Sequence, residues 1–208
     1  MKLAVIAASG RSGRAFIEQA LAAGHDITAN VHRRNTLPSH PHLTVMIGDA
    51  TDAAYMEQLV VGNEAVVSLI GHTRRSPKDV QTKATEALIA AMQKQGVRRV
   101  VSLTGTGVRM PGDIIPLMDR VLNLGISLVD PARIRDGIRH AEILQTSNLE
   151  WTILRVLKLQ NTKPRAFTLT EHGPAKVIVS RAEVAAAILE MLERDEFVRQ
   201  APIVSRPH

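Results

Sequence analysis

Residues 3–13 read LAVIAASGRSG, an apolar run that passes directly into small residues and glycine. A short apolar run bounded by a turn signal reads as a strand buried on both faces. The strand, Leu3 to Ala8, is followed by the turn and then by a helix from Arg14 to Ala23 that Gly24 closes. Such a junction collects unpaired backbone N–H groups and the positive end of a helix dipole at one point, which suits a pyrophosphate. Gly10 allows close approach of the backbone, Gly13 allows the helix to pack on the sheet, and Ser9 and Ser12 add hydroxyl donors. Ala7 stands where such loops usually carry their first glycine, and it is expected to be tolerated by keeping a negative φ. The same residues would also serve as a plain small-residue turn; their place after the first strand of an alternating pattern favours the phosphate reading.

Beyond this unit, strand-length apolar runs alternate with helix-period segments. Ile27 to His32, Leu43 to Ile47, Ala65 to Ile70, Val100 to Thr104 and Trp151 to Val156 read as strands, with a short late one at Val177 to Val179. Helices are expected over Val80 to Gln95, ended by Gly96, over Arg133 to Thr146 and over Ala182 to Glu193. Gly105 to Pro131 is long and weakly patterned, with a short helix near Leu117 to Leu124. The alternation implies right-handed crossovers and an α/β fold: a Rossmann-type, doubly wound parallel sheet with helices on both faces, as a single domain over residues 1–208. Ligands of such sheets sit beyond the carboxyl ends of the strands. An acceptor pocket is therefore expected from segments 107–130 and 157–175.

The composition agrees. Of 208 residues 45% are hydrophobic but only 2% aromatic, so the core is built from Val, Ile, Leu and Ala, which suits a helix-covered parallel sheet. The absence of cysteine excludes disulfides, thiolate catalysis and zinc–cysteine sites. The histidines of SHPH, Ser39 to His42, have no accompanying carboxylate in sequence and make a poor metal site, so no metal is expected. No stretch resembles a signal peptide or a membrane span, and a soluble cytoplasmic protein is expected. The net charge of +6 comes as scattered pairs, Arg33 with Arg34, Arg74 with Arg75, and Arg98 with Arg99. With almost no aromatics between them, these argue against a nucleic-acid partner and leave an anionic ligand or only a basic surface. Oligomeric state has no signature in the sequence.

The end of the second strand selects the nucleotide. Asp or Glu there would hold the ribose hydroxyls of NAD, whereas arginine accommodates the 2′-phosphate of NADP. Here the strand runs into His32, Arg33 and Arg34, with Asp26 at the wrong end. A charge-assisted hydrogen bond contributes about 1.5 to 3 kcal/mol, so Arg33 could favour NADPH by roughly ten- to a hundredfold. Arg34 and Arg11 are neighbours that could share the phosphate; a solvated surface pair is the plainer alternative.

Six motifs in fixed order resemble the atypical short-chain dehydrogenase/reductases that bind NADP, and within them proteins similar to biliverdin reductase B, or flavin reductase. They are AASGRSG, VHRRNTLP, VMIGDATD, GVRRVVSLTG, SNLEWTILR and KVIVSRAEVA. The resemblance implies that Gly10, Arg11, Ser12 and Gly13 bind the pyrophosphate of NADP(H) and Arg33 its 2′-phosphate, with Ala7 a departure from the family's first glycine. It also implies that Asp49 and Ala50 border the adenine, although Asp49 is equally suited to cap the next helix near Thr51 to Ala54. Ile70, Gly71 and His72 would line the path to the nicotinamide, with Thr104 and Arg155 close by. Val156 departs from the family's usual proline, and Gly105 stands where close relatives carry a serine.

The chemistry is narrowed by what is missing. Classical short-chain dehydrogenases use a tyrosine four residues before a lysine, but the only tyrosine, Tyr55, precedes Leu59 at that spacing. An unactivated ketone would need such a proton donor, whereas a flavin, quinone or similar conjugated acceptor takes hydride with little help. Thr104, His72 and His140 are the candidate helpers, His being suited to proton transfer near neutrality. The alternative is a non-catalytic NADP(H) sensor similar to the NmrA regulators.

Overall fold

Strand β1 (Lys2–Ile6) lies inside an eight-stranded sheet in the computed structural model, which describes residues 1–73, 76–175 and 178–207. On one side of it stand β2 (Asp26–Val31) and then β3 (Leu43–Ile47). On the other stand β4 (Ala65–Ser68), β5 (Arg99–Gly105), β6 (Glu150–Val156), β10 (Ile203–Ser205) and β8 (Thr168–Thr170). All neighbours pair in parallel except β10 with β8. Val5 is in register with Ala29 of β2 and with Val67 of β4, so both edges of β1 are occupied. The chain winds outward from β1 in one direction and resumes at β4 in the other. That reversal opens a crevice beyond the carboxyl ends of β1 and β4.

Each face of the sheet is covered by helices. On one, α1 (Arg11–Ala22) packs against α6 (Arg181–Glu193). The buried positions of α1, Gly13, Phe16, Ile17 and Ala20, follow the i, i+3, i+4, i+7 spacing of a single helical stripe. On the other face α2 (Ala53–Val60), α3 (Val80–Gln95) and α5 (Pro131–Thr146) pack side by side. Their core includes Met56, Leu88, Met92, Leu144 and Trp151, the only tryptophan. Burying each large apolar side chain contributes about 1.5–3 kcal/mol, and the two cores together clamp the sheet. Gly96 ends α3 in the left-handed region at φ 71°, as its position after an amphipathic run predicts.

Several elements differ from the sequence reading. Helix α1 begins at Arg11 rather than Arg14, because Gly10 takes the extended N-cap conformation and Arg11, Ser12 and Gly13 form the first turn. The weakly patterned segment holds a full helix, α4 (Leu117–Val129), separated from α5 by Asp130 alone. The late strand is Val179–Ser180, β9, which pairs with β7 (Leu159–Gln160) in a small parallel sheet; Val177 lies outside the described residues. Strands β8 and β10 carry too few residues to show a period. Of the basic pairs, Arg99 is buried, donating to the Glu150 carbonyl and the Thr152 hydroxyl, while Arg98 pairs with Glu150 at the surface. Arg74 and Arg75 lie outside the described residues.

Candidate functional site

The turn between β1 and α1 is held from outside by β2. Ala7 donates its N–H to Asn30 Oδ1 at 3.1 Å, and Ala8 donates to the Asn30 carbonyl at 3.0 Å. The buried Asn30 amide donates in turn to the Gly48 carbonyl and to the Tyr55 hydroxyl. Ala7 has φ 59°, contrary to the negative value expected, because its carbonyl must turn back to accept from Gly10 N–H at 3.0 Å. Gly13 leaves no room for a side chain: a Cβ there would lie 2.4 Å from the Ala8 carbonyl oxygen and 2.5 Å from that of Ala7. The N-cap Gly10 offers no side chain, and the first-turn amides of Arg11, Ser12 and Gly13 have no acceptor among the described residues. These open donors at a helix N-terminus, over a backbone cradle that a Cβ would fill, fit a pyrophosphate.

Beside this loop lies a cavity of about 470 Å³ at the carboxyl ends of the strands. Arg11 and Ser12 border it from α1, Leu69 to His72 from the end of β4, and Leu103 to Gly105 from β5. Gly107, Val108, Leu122, Asn123 and Ile126 close one side, and Val156 to Leu159 another. Helix α5 contributes Arg133, Ile134 and Gly137, which lie outside the two segments expected to form the pocket. Among the described residues, arginines 11, 133 and 181 and Lys158 line it, and no carboxylate does. Arg181, at the first position of α6, donates to Asn161 Oδ1 at 2.7 Å, while its Nε is buried without a partner among the described residues. Burial first, and then the positive charge of Arg11, holds the Arg181 guanidinium below its ordinary pKa.

Two of the expected helpers face this cavity. His72 donates or accepts through Nε2 at 2.9 Å from Asp136 Oδ2, and its ring is nearly enclosed. The same Asp136 carboxylate accepts from the N–H groups of Gln81 and Thr82 and from the Thr82 hydroxyl. It therefore caps the N-terminus of α3 from α5 and fixes the His72 ring at once. Thr104 is at the end of β5, and its hydroxyl makes no hydrogen bond among the described residues. Gly137 makes room for it, since a Cβ there would come within 3.2 Å of Thr104 Oγ1.

Residues 7–195 match the family described as NAD(P)H-binding. The chain belongs to the NAD(P)H-binding family. Among curated relatives, 3-beta-hydroxysteroid dehydrogenase of Mycolicibacterium neoaurum is 28% identical over 133 residues, 58% of this chain but 36% of that protein. The chain thus spans about a third of that relative's length. Among solved structures, a short-chain dehydrogenase/reductase from Veillonella parvula in complex with NADP superposes with a TM-score of 0.84 at 22% identity, covering 99% of this chain and 94% of that one. ChuY, an anaerobillin reductase from Escherichia coli O157:H7, gives 0.79 at 20% identity, covering 100% and 98%. The solved structures establish a Rossmann-type fold, and the match over residues 7–195 establishes the family.

Within that family frame, some residues expected at the site lie elsewhere. His140 is fully buried, with Nε2 2.7 Å from the Ser102 hydroxyl, and does not line the cavity. Burial pushes its pKa down to about 4, against weaker raising effects from the Gly137 carbonyl and Asp136. It is a neutral core residue, because the helical face it shares with Ala141 and Leu144 packs on the sheet. Arg155 is corrected likewise. It is fully buried and donates to the carboxylate of Asp113 and to the carbonyls of Val108, Glu171 and Ala201, which leaves nothing for a nucleotide. Asp52, not Asp49, caps α2; Asp49 accepts from the Thr51 N–H at 2.9 Å and from its hydroxyl. Those bonds, the N–H first, lower the Asp49 pKa.

The remaining expectations sit on the surface around the loop. Arg33 and Arg34 are exposed and form no ion pair among the described residues, while Ala50 is buried beside the exposed Asp49. Asp26 pairs with His42 Nδ1 at 2.8 Å, so the SHPH stretch does have a carboxylate neighbour; no three potential ligands converge among the described residues. Tyr55 donates to the Met46 carbonyl and packs where Gly48 leaves space, away from the cavity. Among the described residues, no helix is long and apolar enough to cross a membrane. Asn30, Asp136 and Arg181 escaped the sequence reading. The first two act across long sequence separations; Arg181 lies inside KVIVSRAEVA, where a motif match alone marks the segment and not the side chain.

Proposed function

We propose that this chain is an NADPH-dependent reductase that passes hydride to a flavin, quinone or similarly flat, conjugated acceptor without a tyrosine–lysine pair. The cavity carries the reading: it adjoins the glycine-rich loop and has apolar walls and, among the described residues, four cationic side chains and no tyrosine or carboxylate. Gly10, Arg11, Ser12 and Gly13 would hold the pyrophosphate, with Ala7 and Ser9 shaping the turn. Arg33, assisted by Arg34, would hold the 2′-phosphate, and Asp49 and Ala50 would flank the adenine. Ile70, Gly71 and Thr104 would line the nicotinamide end. The cofactor, when bound, supplies the hydride.

The chain's own residues then do mainly positioning. Leu122, Ile126, Ile134 and Val156 exclude water from the faces of the acceptor, and the Thr104 hydroxyl is free to orient a polar ring atom. His72, held by Asp136, can deliver a proton to the reduced ring from a fixed ring orientation. Arg133, Lys158 and Arg181 favour acceptors that carry a phosphate or carboxylate, which flavin mononucleotide and bilins do. ChuY, an anaerobillin reductase by its description, shares the fold and supports a flat tetrapyrrole or flavin in such a space. A cavity of this size beside the loop favours a reductase over a sensor that needs no acceptor.

The test is a pair of equilibrium titrations, NADPH and NADH against the wild type and Arg33→Ala, followed by turnover with flavin mononucleotide, a quinone and biliverdin. The expected outcome is at least tenfold tighter NADPH binding, abolished by Arg33→Ala, and oxidation of NADPH with at least one acceptor. Absence of turnover with all three would refute the reductase assignment.

A further inference from the structure

Helix α4 turns polar side chains inward, Asp119 to Arg109 and Asn123 to the Thr106 hydroxyl, and an apolar stripe outward. Leu122 and Ile126 point into the cavity, with Asp119 buried below them in an ion pair with Arg109. On the opposite side Leu117, Val121, Leu124 and Leu128 are 77%, 56%, 61% and 77% exposed, flanked by Met118 and Val129. An amphipathic helix normally turns its apolar stripe toward a core, and this one turns it to solvent. With its flanks the stripe is a contiguous exposed apolar patch, of the kind that marks an interaction site.

We propose that a second copy of this chain covers this face, α4 packing antiparallel against α4 across a two-fold axis. The spacing of Leu117, Val121, Leu124 and Leu128 is four, three, four, the seam of a coiled coil, which another helix fills better than a flat surface does. A two-fold arrangement requires self-complementarity, and alignment of Leu117 with Leu128 and of Val121 with Leu124 supplies it. That register sets Arg120, the one charged side chain on the solvent side of the helix, beside Ser127 of the second copy. Gly125 lies within the stripe, and a Cβ there would meet nothing within 4 Å, so it is open to close approach. A helix adapted to lipid would carry rows of Lys and Arg along its polar side, and α4 has Arg120 alone. Because Leu122 and Ile126 sit on the reverse of the same helix, the second copy would brace one wall of the cavity.

Sedimentation velocity of the full chain across the micromolar range tests this, with Leu124→Glu and Leu128→Glu as variants and circular dichroism as the control for folding. Twice the chain mass is expected for the wild type, and self-association weakened by roughly a hundredfold or more in each variant, because each puts two carboxylates into an apolar seam. Both side chains face solvent in the single chain, so the variants should keep wild-type helix content. A wild type that stays monomeric at every concentration, or a dimer that both variants leave intact, overturns the proposal. Flotation with phosphatidylserine vesicles adds a further arm: a monomer that binds vesicles and loses them on Leu124→Glu replaces the second copy with a membrane.

Discussion

Ala7 holds a left-handed backbone conformation that costs an L-residue about 1–2 kcal/mol relative to glycine. Asn30 and the Gly10 N–H hold it there, so the cost falls on folding and not on the shape of the loop. Ala7→Gly should therefore stabilise the protein by about 1 kcal/mol in urea unfolding, the relief of strain being partly offset by the entropy of a freer unfolded chain. Gly13→Ala, three residues past Gly10, should act in the opposite direction. Its Cβ would strike two carbonyl oxygens, and the loop would have to open, with loss of binding to both NADPH and NADH in the same titration. The glycine positions of this turn were legible in the sequence because the need for small residues is local. The φ of Ala7 was not legible, since it is imposed by Asn30, 23 residues away.

At the scale of elements, the segment from Gly105 to Pro116 is pinned by one guanidinium. Arg155 on β6 spends its whole fork on Asp113 and on carbonyls of three separate segments, so β6, the approach to α4, Glu171 and Ala201 meet at a single buried charge. Asp113→Ala would leave that charge unpaired and should cost about 3–5 kcal/mol, whereas the apolar pair Arg155→Met with Asp113→Leu should recover most of it, as measured by thermal or urea unfolding. The alternation of strands and helices was readable along β1 to β6 because buried parallel strands are continuous apolar runs. Helix α4 was read too short because Gly125, a residue that lowers helix preference, follows Leu124, yet it lies within the helix. Arg155 looked like a ligand contact by its place at a strand end; only three-dimensional contacts distinguish a charge that faces the cavity from one that ties the wall behind it.

At the scale of the molecule, two buried groups give the stability an acid limit. His140 gives up its proton more readily in the native state than in the unfolded one, its pKa lying at about 4 against an ordinary 6.5. The unfolded chain therefore takes up the extra proton as pH falls below 6.5, and stability that is complete above that value declines until about 4. Unfolding free energy at pH 5 should be lower than at pH 7.5 by about 2 kcal/mol, and His140→Gln should flatten that dependence. Asp113 adds a second phase. Burial alone would raise its pKa, but the bonds from Arg155, the Met110 N–H, and the charges of Arg155 and Arg109 outweigh burial and leave it lowered. Its stabilisation is complete above the ordinary 3.8 and is lost as pH falls through the lower native value. The indole of Trp151 is enclosed between the sheet and the helices of one face, remote from the cavity lining. Being the sole tryptophan, it is an intrinsic fluorophore whose emission reports opening of that core, so each unfolding experiment can be followed without a label.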